Sequence, residues 1–83
     1  MKVHIVHRMY ANNNTADILT FSSAKKAIAE VAYVVDSAVA EGWSSSAEHR
    51  HMGGEVLQGV RITPPSGRLE NSECFFIYSQ EIL

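Results

Sequence analysis

The sequence is poor in the residues that build several common kinds of site. Its single cysteine, Cys74, excludes an internal disulfide and is typical of a reducing compartment such as the cytoplasm. No apolar run approaches the roughly 20 residues of a membrane span, and the first residues lack the apolar core and cleavage site of a signal peptide. We therefore expect a cytoplasmic protein that makes no membrane contact.

Charged residues make up 19% of the chain, and neither sign is in large excess. Seven lysines and arginines stand against nine aspartates and glutamates, which gives a net charge of −2. This balance disfavours non-specific binding to DNA or RNA, and we expect no direct nucleic-acid binding. Residues 1–26 carry four cations and one acid, whereas residues 27–83 carry three cations and eight acids. The asymmetry is either an ordinary solvated surface or an acidic face that meets a basic partner.

Motifs of catalysis are missing as well. The sequence contains no CxxC, HExxH, GxSxG or phosphate-binding glycine loop. Its 83 residues make one small domain, residues 1–83, with little room for a preorganised pocket of the usual volume. We therefore expect a protein that is not an enzyme and that holds no cofactor.

What the sequence does contain is a succession of strand patterns and one helix. The segment KVHIVHRMY alternates β-branched or apolar residues with polar ones, which predicts a strand. ANNNT predicts a turn, because asparagine tolerates left-handed backbone and bonds its own chain. ADILTF then predicts a short second strand or an extended lead-in to the helix.

The helix lies in SSAKKAIAEVAYVVDSAVAEGW. Ser22 or Ser23 offers an N-cap, and Gly42 followed by Trp43 fits a C-terminal cap, so the helix should span about Ala24 to Glu41. At about 100° per residue, one side is apolar and the other polar. The apolar side comprises Ala24, Ala27, Ile28, Val31, Val35, Ala38 and Val39. The polar side comprises Lys26, Glu30, Tyr33, Ser37 and Glu41.

Gly53–Gly54 predicts the two-residue loop of a β-hairpin, since type I′ turns need positive φ at both central positions. Counting outward from this loop opposes Ala47 to Val60 and Ser45 to Ile62. Side chains two apart share a face. The face expected to pack on the helix carries Trp43, Ala47, His49, His51, Val56, Val60 and Ile62. The open face carries Glu48, Arg50, Met52, Leu57 and Arg61.

The segment CFFIYSQEIL predicts the last strand. Phe75 and Ile77 point one way, and Phe76 and Tyr78 point the other. A strand that is apolar on both faces is central rather than an edge. The fold class that follows is α+β, with one long helix packed on a small antiparallel sheet, in β(β)αβββ order.

His49 and His51 are the strongest candidates for metal binding, because they share a strand face. Zinc needs at least a third protein ligand, and no ligand motif supplies one. The competing interpretation is a hairpin tip with two partly exposed histidines, and we expect no metal there. A small metal- or ligand-binding module that uses His49 and His51 is kept as the alternative function.

Contact with another protein is the use favoured for a chain without site chemistry. Tyr33, at the centre of the polar side of the helix, is an economical aromatic anchor for an interface. Arg50, Met52, Leu57 and Arg61 form a mixed patch on the open face, of the composition that interfaces favour. These five residues are the predicted partner-binding site.

In size and layout the chain resembles small proteins encoded by phages and prophages. The parts that carry the resemblance are KVHIVHRMY, the helix SAKKAIAEVAYVVDSAVAEGW, and the late strands EVLQGVRITPP and ECFFIYSQEIL. Some single-domain anti-CRISPR inhibitors are similar, being short and mildly acidic, with one helix on a small sheet and no catalytic motif. The resemblance implies a non-enzymatic inhibitor in the host-cell cytoplasm. Its partner would be a larger host protein or ribonucleoprotein, a CRISPR–Cas effector complex, whose nucleic-acid site or assembly it blocks.

Overall fold

The computed structural model describes residues 2–11, 16–49 and 55–82. These residues form one helix and a five-stranded antiparallel sheet, which confirms the predicted α+β fold and its β(β)αβββ order. The segment ADILTF is a strand of its own. The elements are β1 (Lys2–Tyr10), β2 (Ala16–Phe21), α1 (Ala24–Ala40), β3 (Ser44–Ala47), β4 (Glu55–Thr63), a 3₁₀ turn (Leu69–Asn71) and β5 (Glu73–Glu81).

The strands lie in the order β2-β1-β5-β4-β3, so β5 is central, as its apolar sequence predicts. Phe75 and Ile77 point to the face that α1 covers, here called the helix face, and are buried in the core with Val6, Ala27 and Val31. Phe76 points to the opposite, open face and is buried as well. The central strand therefore anchors apolar contacts on both sides of the sheet.

The ends of α1 follow the predicted capping signals. Ser23 is the N-cap, and its side chain accepts a hydrogen bond from the backbone N–H of Lys26 at 3.2 Å. At the other end Gly42 has a φ of 95°, and the N–H groups of Gly42 and Trp43 donate to the carbonyls of Val39 and Ala38. This is a Schellman motif, in which glycine takes the left-handed position. Within the described ranges, no helix has the length and apolarity to span a membrane.

The helix is turned slightly relative to its predicted apolar side. Ala27 and Val31 are buried as expected, but Ile28 and Val39, which lie on the predicted apolar side, are exposed. Val34 packs against the core instead. The apolar arc of this helix is wider than the strip that the sheet covers, so one margin of the arc faces solvent.

The predicted hairpin register is confirmed along β3. Ala47 pairs with Val60 and Ser45 with Ile62, while the tip at residues 50–54 lies outside the described residues. The prediction that Val56 packs against the helix is wrong. The pairing of β4 with β5 shifts register between Val56 and Gln58, so Val56 lies opposite Tyr78 on the open face. Such a bulge moves the side chain of each strand residue before it to the opposite face of the sheet.

Gly59 lies at a close approach of two chain segments on the open face. The N–H of Glu48 donates to the Gly59 carbonyl at 3.0 Å. A Cβ at position 59 would overlap the Glu48 carbonyl oxygen and would lie 3.1 Å from the Phe76 ring. Only glycine fits there, because the space of a Cβ is occupied by the Glu48 carbonyl oxygen and the Phe76 ring.

We expect Ser23→Ala to lower the free energy of unfolding by about 1 kcal/mol, because the Lys26 N–H loses its acceptor. Ser22→Ala is the matched control and should change the free energy of unfolding by only about a few tenths of a kcal/mol. Urea denaturation followed by circular dichroism measures both. Equal losses for the two variants would contradict Ser23 as the cap.

We expect Gly59→Ala to cost about 2 to 3 kcal/mol, because the added methyl has no space between Glu48 and Phe76. Gly67→Ala is the comparison. Gly67 has a φ of 74°, and an added methyl there would meet no described atom within 4 Å, so only backbone strain of about 1 kcal/mol applies. Chemical denaturation of the two variants checks the order. A Gly59→Ala protein as stable as the parent would show that the two segments are not in close contact.

Candidate protein-binding cleft

A half-open cleft of about 230 Å³ lies between α1 and the first two strands. It arises because α1 crosses the sheet diagonally, from the end of the edge strand β2 to the start of the opposite edge strand β3. The corner of the helix face beside the start of β2 is left uncovered. The cleft is lined by Val6, Arg8, Asp17, Ile18, Leu19, Glu30, Val31, Val34 and Phe75.

The floor of the cleft is apolar and its rim is charged. Val6, Val31 and Phe75 belong to the core cluster, and Val34 packs against it. Arg8 and Asp17 stand at the sheet side of the rim, and Glu30 is exposed on the helix side. An apolar concavity with a few convergent polar groups is the usual form of a binding site.

Arg8 is held rigidly in this rim. Its Nε donates to Glu73 Oε1 at 2.7 Å, and its Nη2 lies 2.5 Å from the same oxygen. The guanidinium also lies over the rings of Tyr10 and Phe75, with its carbon 5.1 and 5.0 Å from their centroids. Arg8 is therefore largely neutralised by Glu73 and shielded by two aromatic rings.

Tyr10 and Asp17 join β1 to β2 next to Arg8. The Tyr10 hydroxyl donates to Asp17 Oδ2 at 2.7 Å. This hydrogen bond to Asp17 raises the pKa of Tyr10 above its ordinary value of 10.0, and burial adds to the rise. The phenol thus stays protonated and keeps Asp17 oriented at the rim throughout the neutral range.

The strand that borders the cleft, β2, has one unpaired edge, because β1 is its only neighbour in the described sheet. Leu19 is 50% exposed on the helix face, where it lines the cleft. Ile18 is 60% exposed, and its pairing with His7 places it on the open face. Two large apolar side chains thus stand exposed on opposite faces of one free edge.

Tyr33, the first of the predicted partner-binding residues, is 72% exposed. It lies three residues beyond Glu30 on the polar side of α1, and it is not among the residues that line the cleft.

Of the other predicted partner-binding residues, the structure describes Arg61 and Leu57. Arg61 lies on the open face, where its Nε donates to Glu48 Oε1 and its Nη1 donates to Ser72 Oγ at 3.3 Å. The Glu48 hydrogen bond raises the pKa of Arg61 further above its ordinary value. Leu57 is exposed at the register shift in β4. Arg50 and Met52 lie outside the described residues.

The histidines are spread over the sheet. His49 follows the end of β3 and is exposed, and His51 lies outside the described residues. His4 Nδ1 lies 3.0 Å from Ser79 Oγ on the helix face. His7 lies on the other face, opposite Phe76, with Nδ1 buried and no hydrogen-bond partner in the described part of the chain. In that same part, no three potential metal ligands cluster.

The sequence interpretation missed the residues that build the cleft. The pattern KVHIVHRMY places Val6 and Arg8 on one strand face, but only the register of β2 brings Asp17 and Leu19 alongside them. Comparison with known proteins adds no further indication, since no family model, curated protein or solved structure matches the chain. The site is therefore defined by its geometry.

We expect Asp17→Asn to lower the pKa of Tyr10 towards its ordinary value, because the carboxylate that accepts the phenol proton is gone. A raised folded-state pKa stabilises the protein below pH about 10, and that contribution disappears as the pH rises through the folded pKa. The stability difference between parent and variant should therefore vanish at strongly alkaline pH. Tyrosine Cζ chemical shifts followed by NMR report the titration directly.

Asp36→Asn, at an exposed position of α1, is the matched control and should leave the Tyr10 titration unchanged. An Asp17→Asn titration identical to that of the parent would contradict the hydrogen bond as the source of the shift.

Proposed function

We propose that the chain is a non-enzymatic protein-binding module that docks on a larger partner and inhibits it. The observation that carries this proposal is the cleft, with its apolar floor, between β2, which has a free edge, and the side of α1 that carries Glu30 and Val34. The exposed Ile18 and Leu19 line this cleft, and the exposed Tyr33 lies three residues along α1 from Glu30 at its rim. We call the cleft together with Ile18, Leu19 and Tyr33 the docking surface.

The energetics of the docking surface support this use. Fully burying a leucine or isoleucine side chain is worth about 1.5 to 3 kcal/mol, so covering the exposed halves of Ile18 and Leu19 yields roughly 1 kcal/mol each. A solvent-exposed tyrosine adds a large contact area at little cost in side-chain entropy. The free strand edge supplies backbone donors and acceptors that a partner can pair. Together these are the elements of a compact binding hot spot.

The specific form of the proposal comes from the resemblance to anti-CRISPR inhibitors. A CRISPR–Cas effector holds its nucleic acid in a positively charged channel. The rim of the docking surface has the opposite sign, because the exposed carboxylate of Glu30 and that of Asp17 face outward while Arg8 is paired with Glu73. We propose that the docking surface contacts a basic surface of such an effector. The effector is then inhibited, because its nucleic acid loses access or the complex does not assemble.

The test combines affinity capture with an interference assay in cells that carry an active CRISPR–Cas system. We expect the tagged parent protein to capture an effector subunit in stoichiometric amount and to restore plaque formation by a targeted phage. Leu19→Lys should weaken both effects about tenfold or more, because it places a charge in the apolar contact.

Leu69→Lys is the matched control, since Leu69 is 63% exposed in the 3₁₀ turn and lies outside the docking surface. It should behave like the parent. Capture of a different protein by the parent, lost in Leu19→Lys, would support the binding module and overturn its CRISPR form. Equal behaviour of the two variants would overturn the docking surface itself.

A further inference from the structure

We propose that the docking surface takes an extended, basic peptide segment of the partner, which adds to β2 as a sixth strand of the sheet. One apolar side chain of that segment enters the cleft, and its basic side chains lie beside Asp17 and Glu30. This inference rests on the proposed function and names the chemistry that the site recognises.

The first support is the contrast between the two edges of the sheet. Natural edge strands are protected by short length, lysine, proline or bulges. The edge strand β3 is four residues long and consists of three serines and an alanine. The other edge, β2, is six residues long, has no proline, glycine or lysine, and pairs regularly with β1 along its whole length. Its one charged residue, Asp17, is held by Tyr10. β2 is thus the edge suited to strand addition.

The second support is the position of the cleft relative to that edge. Alternate side chains of an added strand point to the two faces of the sheet. Those on the helix face would lie next to Leu19 and above the apolar floor of the cleft. A volume of about 230 Å³ accommodates a single medium-sized apolar side chain of the incoming segment. Those on the open face would lie next to Ile18, which is equally exposed and apolar.

The third support is the sign of the charge around the cleft. Asp17, Glu30 and Glu73 supply three carboxylates against the single guanidinium of Arg8. The charges of Arg8 and Glu73 cancel in their ion pair, so Asp17 and Glu30 give the surroundings of the cleft a charge of −2. Basic side chains complement this charge.

The direct test uses synthetic peptides of about eight residues with valine at every second position, to face Ile18, and one leucine flanked by lysines at the positions between, because the cleft, Asp17 and Glu30 all lie on the helix face. Binding to the full chain is measured by fluorescence polarisation, and the contacted residues by amide chemical shifts. We expect saturable binding with shifts confined to β2, the cleft and the facing flank of α1. The twin peptide with glutamate in place of lysine should bind about tenfold more weakly or worse.

Strand addition is separated from simple charge attraction by two further peptides, each N-methylated at every second amide, in opposite registers. Only alternate amides of an added strand face the edge, so one of these peptides should bind like the parent peptide and the other should lose about tenfold or more. Equal binding of the two would overturn strand addition. Absence of binding by every peptide would overturn the inference as a whole.

The charge contribution is tested in the protein by Glu30→Gln, with Glu41→Gln at the end of the same helix as the matched control. Glu30→Gln should weaken the lysine peptide several-fold and reduce its salt dependence, whereas Glu41→Gln should leave both unchanged. Light scattering that shows a dimer lost in Leu19→Lys would assign the edge to a second copy and overturn the peptide. A captured protein partner whose footprint covers the cleft and Leu19 but leaves the backbone edge of β2 unpaired would overturn this inference while leaving the proposed function standing.

Discussion

A single helix cannot cover a five-stranded sheet, and much of this structure follows from that mismatch. Five strands are about 19 Å wide, since neighbours lie about 4.8 Å apart, whereas a helix with its side chains is about 10 Å across. The helix α1 crosses from one edge strand to the other and contacts all five strands. This diagonal path covers the centre of the helix face, and the uncovered corner beside β2 becomes the cleft.

The two faces of the sheet bury their apolar side chains in different ways. On the helix face, Phe75 and Ile77 are covered by α1. On the open face, Phe76 is buried without a helix over it, and its ring lies against Gly59. Each face also carries one arginine held by a glutamate, Arg8 by Glu73 on the helix face and Arg61 by Glu48 on the open face. The docking surface thus lies on a sheet that carries an arginine–glutamate ion pair on each face.

Local and periodic signals allowed much of the fold to be predicted. The capping residues placed both ends of α1, and the glycine pair at 53–54 gave the pairing of Ala47 with Val60 although the loop itself is outside the described residues. The apolar character of β5 on both faces gave its central position. Each of these depends on neighbours in sequence or on a single repeating pattern.

Features set by distant contacts were not accessible in the same way. The register shift before Gln58 follows from pairing with β5, and no local signal in EVLQGV marks it. The turn of α1 towards Val34 depends on which part of its apolar arc the sheet covers. The cleft needs the relative register of β1 and β2 as well as the path of the helix. Of the predicted partner-binding residues that the structure describes, none lines the cleft, and Tyr33 lies three residues along α1 from Glu30 at its rim.

The central position of β5 bears on the order in which this chain acquires its structure. β1 and β2 form one hairpin and β3 and β4 another, both from segments close in sequence. Within the described sheet, β5 alone pairs with both hairpins, and its pairing with β1 brings together residues as far apart as His4 and Ser79, 75 positions along the chain. Closing so long a loop is entropically costly and slow. The two hairpins therefore become one cooperative sheet only when β5 pairs with the inner edges of both.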